Sequence, residues 1–428
     1  MSSEPVVSPA PASAIDVIAR QIAADVGTPF YLFEQARFID NITGFRAALE
    51  RHHTDVIIGY SFKTNYTPSI CRLARSLNCH AEVVSRVELE LARRLEFSAG
   101  RIIFNGPLKT ADDIRLAVDL GALINLDHLD QVDALASLPA ALVARARVGL
   151  RVNIDLNDKL LAKKIAKGGI LPRFGMHGAD LTRAAERLGA MGVPVVALHG
   201  HCSSSDRSPD NYSAIARELL NTRATLALER LELIDVGGGF SGRVPTIWNQ
   251  TDTPSFHDYA RAIFEPLNAD PWFAANRPAV AIEPGMSVVA DTISLVTRLN
   301  SRKTINDCLI MGADATFYNV RPTYHNKALS HRLIRHDDSP VADEPVEAVR
   351  ALVGATCMER DVLLENLSLP NPRAGDLILI EDVGAYCSVL TPNFIAMAPP
   401  IVDVTPTNEY RVARRKQTFD DFFAGFEI

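Results

Sequence analysis

The chain has 428 residues, 47% hydrophobic and 22% charged, long enough for one large domain and a second smaller one. Its formal net charge is -7 with no lysine or arginine run, which removes the electrostatic footprint of a nucleic-acid or anionic-membrane binder and leaves small molecules or other protein chains as partners. The six cysteines, Cys71, Cys79, Cys202, Cys308, Cys357 and Cys387, form no CxxC pair and no zinc-spaced cluster, which fits a reduced, cytoplasmic setting and predicts no metal.

Residues 1–14, MSSEPVVSPAPASA, have no basic start followed by an apolar core, so a short disordered lead is expected rather than a signal peptide. No apolar run approaches the roughly 20 residues that span a bilayer. Residues 15–34 end in PFYLF, a strand-like run expected to join the C-terminal β domain. Residues 35–290 read as one domain, and from about residue 55 they repeat one phrase: a β-branched run, a polar or glycine-containing turn, then a helical period. The runs are VIIGYSF from Val56, AEVV from Ala81, RIIF from Arg101, ALINL from Ala122, RVGLRV from Arg147, PVVALHG from Pro194, LELIDV from Leu231 and AVAIE from Ala279. Helical patterns such as RVELELARRLEF after Ser85 and TADDIRLAVDLGA after Lys109 separate them. Strict alternation implies parallel strands with right-handed crossovers, and eight units over roughly 250 residues suit a closed (β/α)8 TIM barrel better than an open doubly wound sheet. After Met286 the runs SVVADTISLVTRL, DCLIMG, VEAVRALVGA and DLILIEDVGAY lack regular helices, so residues 291–428 read as a separate β-rich domain, barrel or sandwich.

In such a barrel the site lies where the strands end and the following loops converge. Lys63, Glu82, Asn105, Asp127, Arg151, His199, His201, the Gly237–Gly239 run and Glu283 all fall at those ends. Lys63 closes the apolar run GYSFK; a desolvated lysine is a competent amine nucleophile for carbonyls, although a strand-end lysine can equally snorkel to water. In IDVGGGFSG the consecutive glycines let backbone N–H groups approach an anion with no Cβ in the way, pointing to a phosphorylated cofactor. His201, two residues after His199, offers a flat ring to stack on that cofactor, and Ser203, Ser204 and Ser205 offer hydroxyl donors. Glu283, in EPGM, is a carboxylate suited to a pyridine nitrogen, which it would keep protonated.

Together these residues resemble the alanine-racemase-fold (fold type III) enzymes of pyridoxal 5'-phosphate (PLP), within the branch containing diaminopimelate, ornithine and arginine decarboxylases. The resemblance runs from about Gly27 to about Met397. It implies that Lys63 carries the cofactor covalently, His201 stacks on its ring, Gly237, Gly238, Gly239 and Ser204 cradle its phosphate, Glu283 meets its ring nitrogen, and Glu82 and Arg151 line its pocket. ATCMERD looks like the family's Cys-x-x-x-Asp element, which would place Cys357 and Asp361 in the site, with Cys357 or Lys63 as the catalytic acid and Asp361 as a substrate contact. DVGAY looks like the segment whose tyrosine, here Tyr386, binds the phosphate. In the family the cysteine reaches into a partner's barrel, so a homodimer with two composite sites is implied.

The chain departs from that pattern in three places. Met286 stands where the family has an arginine, so the phosphate must be held by the glycines, the serines, Tyr386 or an arginine from elsewhere. Met358 stands where diaminopimelate decarboxylases have a glutamate, with Glu359 one residue later. In NVRPTYHNKALSH, Arg321 is followed by Tyr324 at a spacing one residue short of the family's, yet Arg321 still suits a carboxylated substrate. The expectation is a decarboxylase of an amino acid bearing a distal polar or carboxylated group, diaminopimelate or a siderophore-type diamino-acid conjugate. Racemisation or epimerisation is the second reading, although a cysteine element occupies the place of the racemase tyrosine. A catalytically inactive regulatory homologue is the third, against which Lys63 and Cys357 both speak.

Overall fold

The structure, a computed structural model, describes residues 14–154, 173–202, 207–243, 253–322, 329–337, 339 and 344–428. Residues 1–13 of the expected lead, together with Ser203, Ser204, Ser205 and Tyr324, lie outside them. The chain divides into two compact units: one built on Ile39–Arg243 and continuing to Val288, the other on the residues up to Phe38 and on Val289–Ile428.

The second unit takes the strand β1 (Phe30–Glu34) from the N-terminal segment. The first unit is a closed parallel barrel of β2 (Val56–Ser61), β3 (His80–Val83), β4 (Ile102–Phe104), β5 (Leu123–Leu126), β6 (Arg147–Val152), β7 (Val195–Gly200), β8 (Leu233–Asp235) and β9 (Ala279–Ile282). Each expected run forms its strand. The barrel closes where Val56, Ile57 and Ile58 pair with Val280, Ala281 and Ile282. Ile103, Leu123, Val196, Ala197, Leu233 and Ala281 form an apolar cluster on its strands, the branched filling such barrels use. Crossover helices start on sequence signals. Thr110 and Asp113 make a reciprocal capping box before Ala111–Asp119, and Ser85 caps Arg86–Arg94.

The other unit is a mixed sheet ordered β14-β13-β11-β10-β1-β16-β17, with β15 bridging β10 and β12. Its further strands are β10 (Ile293–Ile305), β11 (Cys308–Ala313), β12 (His331–Ile334), β13 (Val346–Val353), β14 (Val362–Pro370), β15 (Leu377–Ile380), β16 (Ile401–Val404) and β17 (Tyr410–Arg414). β1 runs antiparallel to β10 and parallel to β16. Beneath them Ile18, Ile22, Phe30, Leu32, Val296, Leu379 and Val402 share one core. The run SVVADTISLVTRL is not strand throughout, because Met286–Val289 is a helical turn and the strand starts at Ile293. No helix among the described residues is long and apolar enough to cross a membrane.

Candidate active site

Strand register gathers the polar side chains. Ser61 pairs with Glu82 between β2 and β3, Arg151 with His199 between β6 and β7, and His199 with Asp235 between β7 and β8. Because side chains alternate across a strand, these paired positions share one face and one level near the carboxyl ends. Asn125 pairs with Gly149, where an added Cβ would lie 2.0 Å from Asn125 Oδ1. A glycine there makes room for the amide.

Lys63 sits in the 3-10 turn Phe62–Thr64 directly after β2. Its Nζ donates to Glu82 Oε2 at 2.6 Å and to Ser61 Oγ at 2.8 Å, and Ser61 Oγ donates to the same Glu82 oxygen at 2.5 Å. Glu82 is fully buried, while the lysine side chain remains 40% exposed. The amine is thus fixed at its root yet open to a molecule in the mouth. Asn105 Nδ2 continues the network, donating to Glu82 Oε1 at 3.0 Å and to Glu283 Oε1 at 2.5 Å, while its own oxygen accepts from Asn125 at 2.8 Å.

Glu283 lies at the opposite end of that network. Its second oxygen is 3.3 Å from His199 Nε2. Burial alone would raise its pKa, but the His199 imidazole and the Lys63 charge outweigh burial and hold the carboxyl below its ordinary range. Its buried neighbour Asp235 moves the other way: burial, and then the charge on Glu283, push that carboxyl well above the usual range. Glu283 is therefore the anion of the pair.

The glycine run follows β8. Gly237 and Gly239 hold φ of +72° and +94°, conformations that side chains resist. An added Cβ would come within 2.7 Å of the Gly200 carbonyl at Gly237 and within 2.3 Å of the Glu283 carbonyl at Gly238. Glu283 N–H in turn donates to the Gly237 carbonyl at 2.8 Å. Gly238 N–H donates to His201 Nδ1 at 3.0 Å, which leaves the ring proton on Nε2. Burial, with the charges of Lys63 and Arg151, pushes His201 down to about 3, so the ring is neutral at physiological pH. Arg151 is paired with Asp127 at 3.4 Å and lies over the Phe174 ring, and its Nε is buried without a partner among the described residues.

These groups fit pyridoxal phosphate: a primary amine at the mouth, a buried anionic carboxylate, a neutral flat imidazole, and a backbone cradle that a Cβ would fill. Besides Ser61 and Asn125, three polar residues escaped sequence reasoning. Asp235 is hidden inside the apolar run LELIDV. Arg207 Nη1 donates to the Gly239 and Phe240 carbonyls at 3.2 and 3.1 Å, bringing a guanidinium against the glycine segment that Met286 cannot supply. Lys109 is buried, with Nζ donating to the Gly106 and Asn125 carbonyls and to Gln131 Oε1, and burial pushes it down to about 7. A lysine in a PLKT turn reads as solvated, so only its spacing from Asn105 hints at this burial.

In the sheet unit, Cys357 is exposed on the turn between β13 and β14. Asp361 is buried, and both its oxygens are engaged: Oδ1 by Phe317 N–H at 2.7 Å, Oδ2 by Thr356 N–H at 2.8 Å and Thr356 Oγ1 at 2.6 Å. It holds the loop that presents Cys357. Glu359 is exposed on the same loop, and Tyr318 O–H reaches Met358 Sδ at 3.5 Å. Arg321 follows the short helix Phe317–Val320, half-buried. Tyr386 holds φ of +66°, a conformation uncommon for residues other than glycine.

A model of the pyridoxal-dependent decarboxylase, pyridoxal binding domain, matches residues 36–290. The chain is 28% identical over 410 residues to the probable chloroplastic diaminopimelate decarboxylase of Oryza sativa subsp. japonica, covering 94% of this chain and 80% of that one. It is also 28% identical over 418 residues to the diaminopimelate decarboxylase of Archaeoglobus fulgidus, covering 94% and 93%. The crystal structure of M. jannaschii diaminopimelate decarboxylase in complex with L-lysine shares the fold, with a TM-score of 0.83 at 24% identity over 96% of this chain and 94% of that one. The matched segment is the barrel that carries Lys63, Glu82, the glycine run and Glu283, and this chain belongs to the pyridoxal-dependent decarboxylase family, with that barrel as its pyridoxal-binding domain.

Proposed function

We propose that the chain decarboxylates an amino acid with a distal carboxylated or amino-bearing group, diaminopimelate first, using PLP held on Lys63. The observation that carries this reading is the connected set Lys63–Glu82–Asn105–Glu283, which ties a nucleophilic amine to a buried anion through one amide. When bound, the cofactor supplies an electron sink for the pair released as carbon dioxide leaves. Lys63 would hold the cofactor, and Glu82 with Ser61 keeps Nζ on one side of the mouth. Glu283, kept ionised, would serve the cofactor's ring nitrogen. The neutral ring of His201 and the Arg151 side chain would line the cofactor's pocket. The segment Gly237, Gly238 and Gly239, where no Cβ intrudes, would leave room for the phosphate, with Ser204 and Tyr386 joining by the same resemblance, and Arg207 would add the positive charge absent at Met286.

The sheet unit supplies the rest by the same resemblance. Cys357 acts as the acid that protonates the substrate carbon, in the barrel of a second copy, which makes the working form a homodimer. Asp361 sets its loop, and Arg321, Tyr324 and Glu359 read the distal end of the substrate. Met358, in place of the relatives' glutamate, favours a second candidate substrate class, diamino acids conjugated through a distal carboxyl. A cytoplasmic location suits six cysteines scattered without a CxxC pair.

The test is carbon dioxide release from the PLP-loaded protein with meso-diaminopimelate, lysine, ornithine, arginine and citrate-linked diamino acids. Release from diaminopimelate with lysine as product supports the proposal. Inversion of one centre of diaminopimelate, or loss of optical activity with a chiral substrate, without carbon dioxide overturns it in favour of racemisation.

A further inference from the structure

We infer that Asp235 is a positioning residue that carries the single proton of the buried Asp235–Glu283 pair and so keeps Glu283 anionic and fixed in direction. The inference rests on the proposed placement of Glu283 at the cofactor's ring nitrogen.

The geometry is that of three buried groups in one cluster. One polar atom each from His199, Asp235 and Glu283 lies within 4.8 Å of the other two. His199 is 1% exposed, Asp235 0% and Glu283 4%. Two carboxylates at such range, out of water, cannot both stay ionised unless a cation lies between them, so one takes a proton. The donors decide which. Glu283 receives Asn105 Nδ2 at 2.5 Å and His199 Nε2 at 3.3 Å, on separate oxygens. Asp235 receives only Gly237 N–H, at 2.9 Å on Oδ1, and its Oδ2 is buried with no donor among the described residues. Negative charge is therefore better compensated on Glu283. A proton on Asp235 Oδ2 turns the oxygen that lacks a donor into a donor toward Glu283, which satisfies both groups.

Asp235 then does two things at once. Its Oδ1 anchors the first amide of the glycine run, and its Oδ2–H steadies the carboxylate on the next strand. One neutral carboxyl joins the phosphate cradle to the ring-nitrogen partner. In this role it behaves as an amide would: one oxygen accepts and the other atom donates.

That equivalence gives the experiment. Asp235→Ala and Asp235→Asn are compared with the wild type and with Glu283→Gln. Cofactor affinity is read by PLP titration of the apoprotein, turnover by carbon dioxide release, and metal content by elemental mass spectrometry. Asp235→Ala is expected to weaken PLP binding and turnover roughly tenfold or more, because it leaves buried polar groups unsatisfied. Asp235→Asn is expected to recover most of that loss. If Asn is as damaging as Ala, the ionised form is required and the inference falls. It falls equally if the wild type holds stoichiometric metal that Asp235→Asn loses. If Glu283→Gln is impaired while neither Asp235 variant changes anything, the proposed function stands and only this inference fails. If Glu283→Gln itself binds PLP and turns over like the wild type, the reading of Glu283 is wrong.

Discussion

Asn105 Nδ2 lies 2.5 Å from Glu283 Oε1, and the same nitrogen reaches Glu82 Oε1 at 3.0 Å. One amide thus joins the carboxylate beside the lysine to the carboxylate at the opposite end of the site, so a disturbance at either is felt at the other.

Lys63→Ala is expected to abolish the visible absorbance of the lysine–cofactor adduct and to lower turnover sharply, because the amine that would hold the cofactor covalently is gone. An absorbance spectrum of the PLP-loaded variant checks it. An unchanged visible band would remove Lys63 from the site.

Glu283→Gln keeps the shape and removes the charge. Turnover should fall by roughly 10²-fold, the usual effect of deleting one preorganised electrostatic partner. The cofactor should still be bound. Single-turnover carbon dioxide release separates this outcome from simple loss of PLP.

Arg207→Gln should weaken PLP roughly tenfold, the effect of losing a hydrogen bond to a charged group, while leaving the affinity for unphosphorylated pyridoxal unchanged. Parallel titrations with the two ligands make the comparison. Equal loss with both would assign Arg207 to the fold of the glycine segment alone.

Two glycines should respond oppositely to alanine. Gly189 lies in the helix Ala179–Ala190 with nothing within 4 Å of an added Cβ, so Gly189→Ala should stabilise by about 0.5–1 kcal/mol. Gly238→Ala would bring a methyl to 2.3 Å from the Glu283 carbonyl and should destabilise by roughly 1–3 kcal/mol. Urea unfolding of both variants decides.

Glu88 gives a pH signature. It is buried beside Glu82 and accepts Val84 N–H at 2.6 Å, and burial first, then the Glu82 charge, pushes it up to about 7. A folded pKa above the unfolded value means that its contribution is whole below about pH 4.5 and is lost as pH rises through 7. Relative to Glu88→Gln, the wild type should lose about 1–2 kcal/mol between pH 5 and pH 8. Thermal melts across that range that run parallel for the two proteins would contradict this.

The barrel is legible in the sequence because each strand is a short apolar run bounded by turns, and its polar ends announce themselves as exceptions. Lys63, Glu82, Arg151, His199 and Glu283 are visible for that reason. Asp235 is not, because one acid within LELIDV looks like the end of a run, and its meaning depends on Glu283 from another strand. The sheet unit reads less well. β14 contains Asn366 at φ +54° and shifts register against β13 between Val362 and Leu364, so its alternation is broken. β16 and β17 carry too few residues for periodicity to stand out. Asp361 is legible as a motif residue, but the engagement of its Oδ1 depends on Phe317, which is distant in sequence.

The close approach of Gly238 to the Glu283 backbone has a bearing on redesign. The loop meant for the phosphate and the strand end meant for the ring nitrogen touch main chain to main chain, with no side chain between them to be trimmed or lengthened. An engineer seeking to fit a longer or shorter cofactor here would have no adjustable spacer. The two grips would have to be rebuilt together.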